Sequence, residues 1–197
     1  KDIGHIEKAD SNRVRQFYHR HYSPSSAILS VAGTAKPDDV FRMAEKWFGD
    51  IPSSEKIARV LPEEPQQKER REITVYRDVP ATQLIMAFHT GGRESRDFYI
   101  LDLLTDILSG CDSGRFPSLL VRKKELFSDA DIYLSGEIDP GLVIFSGRLK
   151  SGTDIKKAEA AVMNELNTLA SEPVTAAELE KARNRYESLR LMSYLSA

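Results

Sequence analysis

The residues of this chain able to do chemistry are four histidines, one cysteine and two small basic or polar clusters. His19 and His21 stand two apart in a segment with helical spacing, so their rings leave different faces. A zinc pair on a helix needs a spacing such as i and i+4, which stacks both rings on one side. The motif His-x-x-Glu-His occurs nowhere. His5 with Glu7 sits in an irregular lead-in, and the histidines read as surface or cap residues. The single cysteine, Cys111, excludes an intrachain disulfide and a cysteine-based metal cluster. Arg122-Lys123-Lys124, with Arg115, could face an acidic substrate, although cations beside the carbonyl end of a helix explain the run more simply. Ser109 to Arg115 gathers Gly110, Asp112, Ser113 and Gly114. A helix C-cap followed by an N-cap is the simpler reading of that loop. It is no phosphate loop, because no Gly-Lys-Ser/Thr follows.

The elements that must position these groups follow from patterning. Hydrophobic residues make up 41% of the 197 and charged residues 29%, which is ordinary for a globular chain. A net charge of −2 favours neither nucleic acid nor anionic lipid. No apolar run approaches the roughly 20 residues of a membrane helix. A periplasmic, cytoplasmic or organellar location is compatible with all of this. The chain starts at Lys1 without Met and stops in an apparently helical stretch, so it is expected to be cut from something longer.

Residues 10–21 read as an amphipathic helix capped by Asp10 or Ser11, with Val14, Phe17 and Tyr18 on one face. Residues 27–33 form an apolar run ending in Gly33, expected to be a buried strand covered on both faces. Pro37 opens a helix bearing Val40, Phe41, Ala44, Trp47 and Phe48, and Gly49 stops it. Trp47-Phe48 reads as core or a domain interface. Residues 53–70, with Pro62, Pro65 and the mixed charges of 68–72, read as a linker. Strands are expected at 72–78 and 83–90, the second internal to a sheet. A helix at 95–109 and a short one at 114–123 follow. Strands near 127–138 and 142–149 meet at the turn Asp139-Pro140-Gly141. Helices at 153–170 and from Thr175 close the chain, the latter through a Thr175/Glu178 capping box. Single-stripe helices beside strands joined by short turns predict an α+β fold: a two-layer α/β sandwich, its sheet mixed but mostly antiparallel, with helices packed on one face. The expected organisation is one domain over 1–197, with 1–52 as lead-in, 53–70 as linker and 71–197 as main sheet and helices.

Five segments, in order, resemble the pitrilysin/insulinase family of zinc metallopeptidases, which includes mitochondrial processing peptidase. They are Tyr22-Ser23-Pro24 through Pro52, Gln83–Phe88, Ser109–Phe116, Asp139–Val143 and Val174–Asn184. The resemblance implies two similar α/β domains per half-molecule, with the zinc ligands and the general-base glutamate in the first. This chain is similar to the second, non-catalytic domain, and the catalytic positions of the family match nothing within it. In the half opposite the zinc, the family carries an arginine and a tyrosine seven positions apart that reach substrate. The matching positions here are Val121 and Ser128, or Arg122 and Asp129 one residue along, so that pair is absent.

The resemblance therefore implies no catalytic residue and no metal ligand in this chain, with zinc in the parent protein, upstream of Lys1. The implied partners are that zinc-bearing domain, a second half or subunit completing a chamber, and peptide substrates. Ser113, Arg115 and Arg122 are the candidate chamber contacts. The expected role is structural: supporting the zinc domain, walling the chamber and helping to select unfolded peptides. A zinc-free paralogue acting as scaffold or peptide-binding subunit beside a catalytic partner is the alternative. An unrelated α/β binding module with the same pattern is a third.

Overall fold

The computed structural model describes residues 3–54, 62, 64–136 and 138–195. The chain divides into two units, Lys1–Glu72 and Ile73–Ala197. The linker expected at 53–70 falls partly on 55–61 and 63, outside the described residues.

The first unit carries helices α1 (Ile3–Glu7), α2 (Ser11–His21) and α3 (Pro37–Phe48). Asp10 caps α2, its Oδ1 accepting from the Arg13 N–H at 2.8 Å. Pro37 occupies the first turn of α3, where a missing N–H costs no helical bond. A 3-10 turn, Pro24–Ser26, follows Ser23, the buried member of a serine cluster. The Ser23 hydroxyl lies 2.8 Å from Ser25 Oγ and 2.6 Å from Ser54 Oγ, tying the Pro24 turn to the residues after α3. The strand expected at 27–33 is not formed. Ile28 is 98% exposed. An apolar run becomes a strand only when a neighbouring backbone takes its N–H and C=O groups, and no described strand lies beside this one. Gly33 ends it at φ 145°, where a side chain would be strained.

The second unit holds β1 (Gln83–Thr90), α4 (Arg96–Ser109), a π-helix (Pro117–Lys123), β2 (Phe127–Leu134), β3 (Gly141–Leu149), α5 (Ile155–Ser171) and α6 (Ala176–Leu195). The sheet order is β1-β3-β2, antiparallel throughout. Two strand expectations are corrected here. Residues 72–78 form no strand, and Ile73 and Tyr76 are exposed. β1 is an edge of the described sheet, not an internal strand, and its Ile85 is exposed. Continuous hydrophobicity fits a strand whose two faces are both covered by packed layers, and it does not say whether a strand pairs on one edge or on two. The strand expected to reach 138 ends at Leu134.

Register decides which side chains meet. Met86 lies opposite Phe145, which lies opposite Ile132 on β2. The irregularity between Phe127 and Asp129 adds one residue, so Phe127 and Ala130 are both buried although an odd number of positions separates them. Phe145, fully buried, meets Phe116 and Phe127 edge-on at centroid distances of 5.3 and 5.6 Å. Leu108 of α4, Leu120 of the π-helix and Ala158, Ala161 and Val162 of α5 complete the core. Gly147 belongs there by necessity, since a Cβ would stand 2.7 Å from the Phe127 ring. The result is the α+β arrangement the patterning predicts, an antiparallel sheet packed against helices.

Candidate functional site: the Ser113–Arg115 loop and its helical anchors

The loop after α4 forms because Gly110 receives the helix end, its N–H donating to the Asp106 carbonyl at 2.9 Å. The chain then turns tightly enough for the Gly114 N–H to reach the Cys111 carbonyl at 2.8 Å. Ser113 and Arg115 leave this turn toward α6. Lys181 donates to Ser113 Oγ at 2.8 Å and to the Ser113 carbonyl at 3.2 Å. The Cys111 sulfur lies 3.4 Å from the same hydroxyl. That hydrogen bond, more than any other influence, holds the Cys111 thiol below its ordinary pKa.

Arg115 forms the densest polar junction of the unit. Its Nε and Nη2 donate to the two carboxylate oxygens of Glu178, at 2.7 and 3.1 Å, and its Nη1 donates to Glu165 at 3.3 Å. The side chain is only 18% exposed. The guanidinium thus joins the start of the segment leading into the π-helix to α5 and α6 together. A two-pronged arginine–carboxylate pair is strong because both planar groups match in geometry. The Arg115 hydrogen bond, foremost, holds Glu178 down at about 2, aided by the Thr175 backbone and hydroxyl groups. The Thr175/Glu178 capping box is formed, with the Thr175 N–H donating to Glu178 at 2.9 Å and the Glu178 N–H to Thr175 Oγ1 at 3.3 Å. Sequence reasoning finds Glu178 as a cap through its spacing from Thr175. Its second role, as the anchor for Arg115 across 63 residues of sequence, has no local signal.

Arg122 lies apart from this junction. It donates to Ser118 Oγ at 2.7 Å and is exposed. The structure brings Ser113 and Arg115 together through α6 and leaves Arg122 at the end of the π-helix.

A further ion pair, Arg185 with Asp106, links α6 to α4. Burial pushes the Asp106 carboxyl above its ordinary value, the arginine only partly offsetting it. The pair lines a groove of about 460 Å³ together with Phe98, Asp102, Asp131 and Tyr133. His19 and His21 both lie on α2 and are exposed, His21 against the Phe17 ring at 4.4 Å. Among the described residues no three His, Cys, Asp or Glu side chains gather to hold a metal. Among the described residues the donor set does not fit a zinc centre. Among the same residues no helix is long and apolar enough to cross a membrane.

The described residues build an antiparallel sheet packed against helices, with a polar junction of caps and ion pairs between the Ser113 loop, α5 and α6. The chain belongs to the family described as the peptidase M16 inactive domain, whose model matches residues 8–186. Among curated proteins it is similar to the "Uncharacterized zinc protease YmxG" of Bacillus subtilis, 23% identical over 93% of this chain and 44% of that protein. The chain thus spans less than half the length of the curated relatives it matches. Among solved structures, a protease from Helicobacter pylori covers the whole chain at a TM-score of 0.88 and 23% identity, this chain spanning 48% of it. The peptidase M16 inactive domain from Pseudomonas fluorescens has a TM-score of 0.73 at 16% identity, over 92% of this chain and 44% of that one. At such identities the two structures speak for the fold.

Proposed function

We propose that this chain is the non-catalytic, chamber-walling domain of a zinc metallopeptidase, with the zinc held by another domain of the parent protein. The observation that carries this reading is the match of residues 8–186 to the inactive-domain family. The names of the curated relatives, both zinc proteases, support zinc in the parent. The geometry supports a structural share in the work. Arg115, with Glu165 and Glu178, fixes the loop of Ser113 to α5 and α6, so that the wall it offers a peptide is preformed. Ser113 and Arg122 are the proposed peptide contacts. Arg115, whose donors are taken by two carboxylates, holds the loop that presents Ser113. Preformed walls lower the ordering cost of binding an extended peptide.

The test is direct. The chain alone is expected to bind zinc without stoichiometric affinity and to leave unfolded peptides uncut. Calorimetric zinc titration and a fluorogenic peptide assay read both. One tightly held zinc per chain with peptide turnover overturns the reading.

A further inference from the structure

Between the π-helix and β2 the chain holds an unusual turn. The Lys124 N–H bonds to the Leu119 carbonyl at 2.8 Å, five residues back, the wide spacing that marks a π-helix. Glu125 then adopts φ 52°, the one non-glycine residue with positive φ among those described. An L side chain occupies that region at a cost and stays there only when its surroundings compel it. Here they do. Leu126 and Phe127 are buried immediately after it, the Leu126 N–H bonds to the Leu120 carbonyl at 3.0 Å, and the Lys150 N–H bonds to the Leu126 carbonyl at 3.0 Å.

The residues this clamped turn presents are Arg122, Lys123 and Lys124, all exposed. The neighbouring charges cancel in pairs: Lys150 with Glu125 at 3.5 Å and Arg148 with Asp129 at 3.6 Å. Arg122 has a serine for a partner, and among the described residues no acidic side chain forms an ion pair with any of the three. Cations beside the carbonyl end of a helix are favoured. Three consecutive ones on a strained, fixed turn are a surplus of positive charge held in place.

We propose that this turn is a docking point for acidic stretches of a peptide, Arg122, Lys123 and Lys124 pairing with its carboxylates. The inference rests on the chamber-wall reading above and gives it a substrate preference. Each exposed ion pair contributes a few-fold at low salt, so three together give about tenfold.

The experiment uses the whole 197-residue chain and two labelled, unstructured peptides of equal length, one rich in Glu and one with Gln in its place. Fluorescence anisotropy at about 50 mM salt is expected to show about tenfold tighter binding of the Glu peptide, falling toward equality at about 500 mM as the charges are screened. The variant Arg122→Gln/Lys123→Gln/Lys124→Gln, whose changes are all on exposed side chains, should melt like the parent chain and lose the preference, the Glu peptide binding no more tightly than the Gln peptide. The variant Arg13→Gln/Arg15→Gln/Arg20→Gln removes the same charge from α2 and should keep the preference. Equal binding of the two peptides by the unaltered chain overturns this inference and leaves the chamber-wall reading standing. Loss of the preference in the α2 variant, or an oligonucleotide bound as tightly as the Glu peptide, overturns it as mere polyanion attraction. If neither peptide binds, the chamber-wall reading fails first and takes the inference with it.

Discussion

The two units of this chain use the same kind of helix to opposite effect. In Lys1–Glu72, α2 and α3 carry apolar stripes, Val14, Phe17 and Tyr18 on one and Phe41, Trp47 and Phe48 on the other. All of these side chains are exposed, and among the described residues of that unit Ser23 is the buried one. In Ile73–Ala197 the stripes of α4 and α5 close over a sheet, and Phe116, Leu120, Phe127, Phe145 and Val162 are lost from solvent altogether. An amphipathic stripe states what a helix needs, not what it finds. A cap and a periodic sequence mark out the helix, whereas burial requires a second surface of matching shape. In the second unit the antiparallel sheet is that surface.

Truncation of an aromatic in each unit sets the scale of the difference. Phe145→Ala removes a ring wedged between Phe116 and Phe127 and is expected to cost about 3–5 kcal/mol, the cavity included. Phe41→Ala removes a ring that is 72% exposed and should move stability by less than about 0.5 kcal/mol. Denaturant melts of the two variants measure both. A cost at Phe41 approaching that at Phe145 would erase the contrast between the units.

The second unit also carries its own pH sensitivity. Glu178, held at about 2 against an ordinary 4.5, is more acidic folded than unfolded. Its contribution is therefore complete above about pH 4.5 and is lost as the pH falls from there toward about 2. With its side chain 27% exposed, solvent screening leaves about 1–2 kcal/mol. The stability difference between the parent chain and Glu178→Gln should be largest near neutrality and shrink through that acid window in pH-dependent melts. A difference that stays constant down to the acid limit would show that the ion pair with Arg115 contributes nothing.

The smallest effect belongs to the first unit. Asp10→Ala removes the cap of α2 and should cost about 0.5–1 kcal/mol, felt by that helix alone. Amide exchange should quicken across Ser11–His21 and remain unchanged in β3. Quickened exchange in β3 as well would mean that the helix cap stabilises more than its own helix.

Much of the second unit was legible before any coordinates. Alternation and turn chemistry locate β3 and the hairpin that joins it to β2. Ser95 and Gly110 bound α4, and the Thr175/Glu178 spacing opens α6. The apolar runs at 27–33 and 84–88 misled, because hydrophobicity reports a wish for burial and is silent about which backbone lies alongside. The candidate site was legible only in part. Arg115 stands out as a cation in a loop of small residues, yet its partners Glu165 and Glu178 lie 50 and 63 positions away and carry no mark of the pairing.

Residue order alone marked the helix stripes, the Thr175/Glu178 capping box, the turn at Asp139-Pro140-Gly141 and the absence of a His-x-x-Glu-His motif, since each of these lies within a few neighbouring positions. The folded chain alone decided that β3 is central in the described sheet, that Ser128 supplies an extra residue to bring Phe127 inward, that Arg115 faces two carboxylates, and that Glu125 takes a strained turn beside three cations with no acidic partner among the described residues. Those are consequences of distant segments meeting, and the free energy of such meetings depends on surfaces that no local stretch of sequence contains.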